Sequence, residues 1–443
     1  MAGGIWTNQD KIRPGAYINF ETDNPEIVEI GERGIVTLAM DLSWGPERKL
    51  IELNVDDFYS SNCLAKLGFM ANETEAKLLK LALQNARILK VFRLNNEGTK
   101  ASKVLIADTL TATAKYPGTF GNKIAITITA SAITAGLYIV KTYANGYLVD
   151  SQEATTVAEL KNNDFVEFTG NGNLSAITST LLENGANGNI TNGYTSYFNA
   201  LRLNKWNTLA ITDTDSDIIS NTIAFIIDMR ENEGKYVQAV ISNTDTADYE
   251  GIINNINGVV INDVTYTAAE FCAWVAGATA GATINESLTG RVVTDATEIV
   301  GLKTNNEIVE GLQKGQFLLS LNQNGTVKVE KDINSLHTFT DKSYNFSKNR
   351  IIRELDEIGS GIEDIWENTY LGKVTNNENG RLLFKASIID FLTNLQNRGA
   401  IDEFNSDSVD VSAGDNLDAV IATLAIKPVD SMEFLYLTVN INE

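Results

Sequence analysis

The stretch that most constrains this chain is its last one. Residues 430–441 alternate: Leu435, Leu437, Val439 and Ile441 share one face, with Glu433 starting the row, while Phe434, Tyr436, Thr438 and Asn440 share the other. A period of two in β-branched and aromatic residues predicts a strand. A long apolar strand at a chain end carries an open edge that invites pairing. It closes the sheet of its own module or enters a sheet of a neighbouring chain. The opening residues present the same problem. Met1-Ala2-Gly3-Gly4 reads as flexible, Pro14-Gly15 as a turn, 16–21 alternates as a short strand with Ile18 and Phe20 on one face, and Pro25 separates it from the body.

Between these arms the 443 residues are long enough for several domains. Residues 34–40 form an apolar run suited to a sheet covered on both faces, and Trp44-Gly45-Pro46 breaks it. A largely buried helix over 74–85 and a strand over 88–94 follow. From about 99 to 190 the texture turns rich in Thr, Ala, Asn and Gly. Short alternating runs at 104–107, 125–130, 137–142 and 165–169, with a hairpin signal at Asn145-Gly146, predict an all-β insertion. Three Asn-Gly pairs, at 184, 187 and 192, read as its exit linker.

The strand–helix alternation then resumes: strands at 209–212, 236–241 and 259–261, a helix from an Asp215 or Ser216 cap through Met229, a helix over 268–278, and a strand at 317–321. The final module has helices over 347–370 and 382–398, the second closed by Gly399. Residues 419–426 and the terminal strand are expected to supply its sheet. The predicted fold is an α/β core split by an all-β inserted domain, with a C-terminal α+β domain and extended arms. Its divisions are 1–25 (N-terminal arm), 26–98 and 191–340 (core), 99–190 (insertion), 341–428 (C-terminal domain) and 429–443 (C-terminal arm).

Chemistry is mostly excluded. Lys+Arg 35 against Asp+Glu 57 gives a net charge of −22, which argues against a nucleic-acid or anionic-membrane partner. No leader-like opening or long apolar run is present, so synthesis and folding in a cytosol are expected. His337 is the single histidine, so a catalytic triad or His-rich metal site is ruled out. Asp213–Asp217 starts like a calcium loop, but Ile218 stands where Gly is needed and Ala224 where the bidentate Glu is needed; N-capping is the better reading. No phosphate loop is present, and Gly359-Ser360-Gly361 lies within a helix pattern, marking a bend or close packing. Glu354, Asp356, Glu357, Glu363 and Asp364 are expected on a solvated helix face. Cys63 and Cys272 are expected as buried reduced thiols. No enzyme, cofactor or metal is therefore expected. Lys342, Lys348, Arg350 and Arg353 form a basic cluster in an acidic chain, a candidate contact with another subunit or an inner partner.

Several motifs together carry a resemblance. Residues 343–350, Asn379-Gly380-Arg381 and 429–433 resemble the C-terminal domain of contractile phage tail sheath proteins, of the PBSX type and of Firmicutes R-type (diffocin-like) bacteriocins. Gly31–Gly34, Ser43–Glu47 and Lys115–Asn122 are similar to that family's N-terminal part and the opening of its β insertion. The resemblance implies a structural subunit in stacked hexameric rings around a tail tube. Baseplate and tail terminator would be its other partners, and virion or bacteriocin particle its location. The arms would exchange strands between subunits, with Tyr17, Ile18 and Phe20 as N-arm contacts and Phe434, Leu435, Leu437, Val439 and Ile441 as C-arm contacts. Lys342, Lys348, Arg350 and Arg353 would face the tube. Contraction would drive the tube through a target envelope. A surface adhesin built on the β insertion, or a nucleotide- or sugar-binding α/β enzyme, are the rival readings.

Overall fold

The structure is a computed structural model that describes residues 33–441, and the backbone of 2–4 and 15–17. Its frame is a seven-stranded sheet. In spatial order the strands are Gln316–Phe317, Ile252–Asn255, Gln238–Ser242, Thr208–Ala210, Ile35–Met40, Ile88–Arg93 and Leu50–Asn54. Every neighbouring pair is parallel except the last, which is antiparallel. Both faces are covered, which is why these strands read as apolar runs and not as alternations. Helix Ala268–Gly281 lies under one face, buried almost throughout, with Phe271 and Trp274 on it. It approaches helix Lys77–Leu83 closely. A Cβ at Gly277 would sit 2.2 Å from the Ala82 carbonyl oxygen, so only glycine fits. Helices Gly193–Arg202 and Ser216–Glu231 cover the other face around Tyr197, Trp206 and Phe225. Asp215 caps the second of these, accepting from the Asp217 and Ile218 N–H groups at 2.8 and 3.3 Å, which is the capping role expected of the acidic run.

The insertion is two packed sheets. One orders Tyr147–Ala154, Tyr138–Ala144, Ile124–Ala130 and Ile177–Leu181; the other orders Val166–Gly170, Leu110–Pro117 and Lys100–Ile106. Asn145 (φ 49°) and Gly146 (φ 85°) make the predicted hairpin turn, with Tyr147 opposite Ala144. Trp44 does more than end a strand. It is fully buried, donates its indole N–H to the Ala65 carbonyl at 2.9 Å, and packs against Tyr116, Phe120 and Phe165 of the insertion. Beside it, buried Arg93 donates to the Gly45 and Pro117 carbonyls. The exit segment is no loose linker: Asn96 bridges Asn189, Thr99 bridges Ala186 and Ser102 bridges Glu183. Trp44→Ala removes this peg from both halves, and a loss of about 3–5 kcal/mol is expected. The measurement is urea unfolding; an unchanged midpoint would mean the insertion is held elsewhere.

In the C-terminal module, helix Asn349–Ile365 continues into a π turn at Trp366–Tyr370, and helix Glu378–Asn397 ends before Gly399 (φ 73°). The helix glycines are close-packing sites: a Cβ at Gly361 would lie 2.2 Å from the Phe391 ring, and one at Gly359 would lie 2.4 Å from Tyr236. The sheet differs from expectation. Val420–Leu424 pairs with Val409–Ala413, antiparallel, and 429–441 joins no strand among the described residues. At the other end Ala2–Gly4 pairs in parallel with Gly15–Tyr17. Ile18 and Phe20 lie outside the described residues, and Tyr17 is described by its backbone alone.

Candidate assembly site

The C-terminal arm has a rigid root and an uncovered tip. The root begins where the Val429 N–H donates to the Ala400 carbonyl at 3.2 Å. Lys348, at the start of the long helix, pairs with Glu433 and, at 3.3 Å, with Asp430. Arg350 donates to the Ser431 hydroxyl at 2.7 Å, and the Thr289 hydroxyl donates to Glu433 at 2.7 Å. Burial works against the Lys348 ammonium, yet Glu433 and then Asp430 hold its pKa above the usual lysine value. One turn further in, Arg353 donates to Asp332 at 2.8 Å and to the Glu286 carbonyl at 2.7 Å. Asp332 also accepts from Asn349 Nδ2 and from the Leu288 N–H. Arg230 grips Asp356 through two hydrogen bonds of 3.0 and 2.7 Å.

This geometry corrects two expectations. The basic cluster is turned inward: Lys348, Arg350 and Arg353 are 3%, 8% and 0% exposed; Lys348 and Arg353 are ion-paired within the chain, and Arg350 donates to the Ser431 hydroxyl. Lys342 is half-buried against Glu250. A local reading counts charges along the sequence and cannot see the acids Asp332, Asp430 and Glu433 that fold against them. Nor is the acidic row of the same helix solvated in full. Glu354, Asp356 and Glu357 are buried, and only Glu363 and Asp364 lie nearer the surface.

Glu354 is the outlier of the cluster. Neither carboxyl oxygen has a hydrogen-bond partner of good geometry; the Val429 N–H adds only a weak pull. Burial pushes its pKa up to about 8, against the opposing pull of Arg350. A carboxyl whose folded pKa is raised destabilises the fold once pH exceeds its unfolded value, near 4.5. The cost grows as pH climbs from there to about 8 and is complete above that. Glu354→Gln is therefore expected to be neutral at pH 4.5 and stabilising, by ~2–4 kcal/mol, at pH 8. Urea unfolding at the two pH values checks the sign.

Beyond Glu433 no described residue covers the aliphatic row of the arm. Leu435, Leu437, Val439 and Ile441 are 86%, 74%, 73% and 89% exposed, and Phe434 and Tyr436 on the opposite row are exposed as well. Lys331 rests over the Phe434 ring at 5.4 Å. The eight residues 434–441, if fully extended, would reach roughly 26 Å. The same module shows an open sheet edge. Gly414 donates to Ala419 and Ala425 donates to Ser408. Because hydrogen-bonded pairs alternate in an antiparallel ladder, Val420, Ala422 and Leu424 direct their N–H and C=O groups away from Val409–Ala413. The pairing strand 409–413 was missed from sequence, although Val409-Asp410-Val411 carries a short alternation.

No group of His, Cys, Asp or Glu among the described residues could hold a metal ion. Cys63 and Cys272 are buried, and burial pushes the Cys63 thiol up to about 12. His337 sits half-exposed beside Asp248, at 3.3 Å. No helix among the described residues is long and apolar enough to cross a membrane.

Three family models cover most of the chain: a phage tail sheath β-sandwich domain at residues 96–187, a phage tail sheath central domain at 188–335, and a phage tail sheath C-terminal domain at 341–442. The phage-like element PBSX protein XkdK of Bacillus subtilis is 34% identical over the whole of both chains. The chain belongs to the phage tail sheath family. A solved sheath tail protein from Desulfitobacterium hafniense is 38% identical and superposes with a TM-score of 0.81, covering 96% of this chain and 100% of that one. The anti-feeding prophage helical sheath in its contracted state shares the fold at 12% identity, with a TM-score of 0.57 over 97% of this chain and 99% of that one. The chain is thus a tail sheath protein of a contractile phage-like system and a particle component. The family's role is structural.

Proposed function

We propose that this sheath protein polymerises as stacked hexameric rings around a tail tube, linked by exchange of arm strands, and contracts to drive the tube through a target cell envelope. The observation that carries the reading is the uncovered, alternating segment 434–441 projecting from a root of buried ion pairs. An apolar strand with no sheet of its own is complete only in another chain. The hairpin of strands 409–413 and 420–424 is the proposed receiver, since a two-stranded sheet is marginal alone and gains from a third strand. Tyr17, Ile18 and Phe20 would act as the N-arm counterpart. The buried root would hold the arm's direction while whole subunits reorient, and kinetic trapping on the tube would store the extended form. Baseplate and tail terminator would bound the polymer, in a phage virion or an R-type bacteriocin assembled in the host cytoplasm. Neither nucleic acid nor membrane is a proposed partner. Negative-stain microscopy of the purified chain is the test: tubes are expected, and discrete small oligomers under all conditions would sink the reading.

A further inference from the structure

The root of the arm holds an acid and a base that are each short of a partner. Glu354 is 0% exposed, and no described group reaches either carboxyl oxygen with good hydrogen-bond geometry. Arg350 lies one turn earlier on helix Asn349–Ile365, at a spacing where side chains meet. Its Nη1 donates to the Ser431 hydroxyl at 2.7 Å, while its buried Nε has no partner among the described residues. Over this pair lies the start of the arm, where the Val429 N–H and Asp430 both act on the Glu354 carboxyl. Asp430 is itself held by Lys348, and Lys348 by Glu433. The other charges of the helix face elsewhere: Arg353 meets Asp332, Asp356 meets Arg230, and Glu357 feels Arg33 and Arg398.

We propose that Glu354 and Arg350 form a proton-operated toggle at the root: a neutral Glu354 leaves Arg350 on Ser431, and an ionised Glu354 draws Arg350 back one helical turn and loosens residues 429–433. The inference concerns the single chain and does not need the arm to exchange strands. Three observations select it. First, a buried carboxylate is tolerated only with a charged partner or hydrogen bonds, and Arg350 is the cation acting on Glu354, with a donor to spare. Second, the side-chain hydrogen bond of Arg350 goes to Ser431, so a turn toward Glu354 is taken from the arm. Third, the ionised carboxylate faces the like charge of Asp430 and pushes on the same segment. Both effects act in one direction. Burial pushes the Glu354 pKa up to about 8. Below that pH the folded chain keeps the proton and the root stays closed; above it the carboxylate forms and the root loosens. The Lys348 ammonium, despite its burial, is held above the usual lysine value by Glu433 and keeps its charge through that range. The arm is thus stiff at its base at neutral pH and gains play in alkali.

The test places a nitroxide label at Met432 through Met432→Cys, because that side chain is fully exposed between two root residues and the native Cys63 and Cys272 are buried. The full chain also carries Leu437→Asp to keep its arm out of other subunits. Between about pH 6.5 and about pH 9 the mobile fraction in the electron paramagnetic resonance spectrum is expected to rise several-fold, with its midpoint near 8. Glu354→Gln, neutral throughout, should keep the label slow at both ends. Ser431→Ala removes the contact that Arg350 gives up, so its label should already be mobile at the lower pH and respond little. A control label introduced by Leu203→Cys, on the exposed end of a core helix, should not change. Circular dichroism confirms that the variants are folded. A label at 432 that ignores pH, a control label that loosens in step with it, or a Glu354→Gln chain that keeps the full response each overturns the toggle. Should Glu354→Gln fail to fold, Ser431→Ala decides: an undiminished pH response in that chain overturns the proposal.

Discussion

Leu437→Asp is expected to abolish tube formation while leaving the unfolding midpoint of the soluble chain unchanged. The two halves have one cause. Leu437 is 74% exposed, so its replacement removes nothing that holds the monomer together. In an exchanged strand the same side chain enters an apolar layer. Its burial contributes about 1.5–3 kcal/mol, and each backbone hydrogen bond of the added strand about 0.5–1.5 kcal/mol net. A carboxylate in that layer reverses the first term and incurs a desolvation cost of several kcal/mol. The expected loss exceeds ~1,000-fold in contact affinity, repeated at every subunit. Pairing it with Phe20→Asp extends the test to the N-arm. Tyr436→Asp, on the opposite row, should be much milder. Sedimentation and negative stain give the readout. Ordinary tubes from Leu437→Asp would remove the arm from the assembly mechanism.

The second large effect lies at the root. Arg353→Ala leaves Asp332 buried with hydrogen bonds from Asn349 and Leu288 but no compensating charge. Breaking one partner of a buried pair typically costs about 3–5 kcal/mol, and that loss is expected in urea unfolding. Removing both charges together, as Arg353→Met with Asp332→Leu, should recover much of it, because the penalty belongs to the unpaired ion. A double variant no more stable than Arg353→Ala would show that the Asp332 carboxylate acts instead through the hydrogen bonds it accepts from Leu288 and Asn349.

The molecule's parts differ in how far the sequence exposes them. Strand Ile35–Met40 and helix Ala268–Gly281 were readable because burial on all sides leaves a continuous apolar run. The Asn145-Gly146 turn was readable because two successive positive φ angles restrict the residues that fit. The terminal strand was legible as a pattern, yet the pattern says only that a partner is needed. It could not say that strand 409–413 takes the place the arm was expected to fill. The root was illegible for a different reason. Lys348 and Glu433, or Arg353 and Asp332, are far apart in sequence, and burial of an ion depends on what folds over it. Hence a cluster that looks like a basic surface proves to be an interior joint, and a row of acids that looks solvated includes Glu354, buried without a partner.

The joint between core and insertion has an evolutionary corollary. The chain leaves the core at Asn96 and returns at Asn189 side by side, the two passages bridged to one another, with Trp44 as the plug beside them. A domain mounted on such a single paired stalk behaves as a cassette. Its loops far from that stalk are expected to accept exchange or enlargement while the core stays folded.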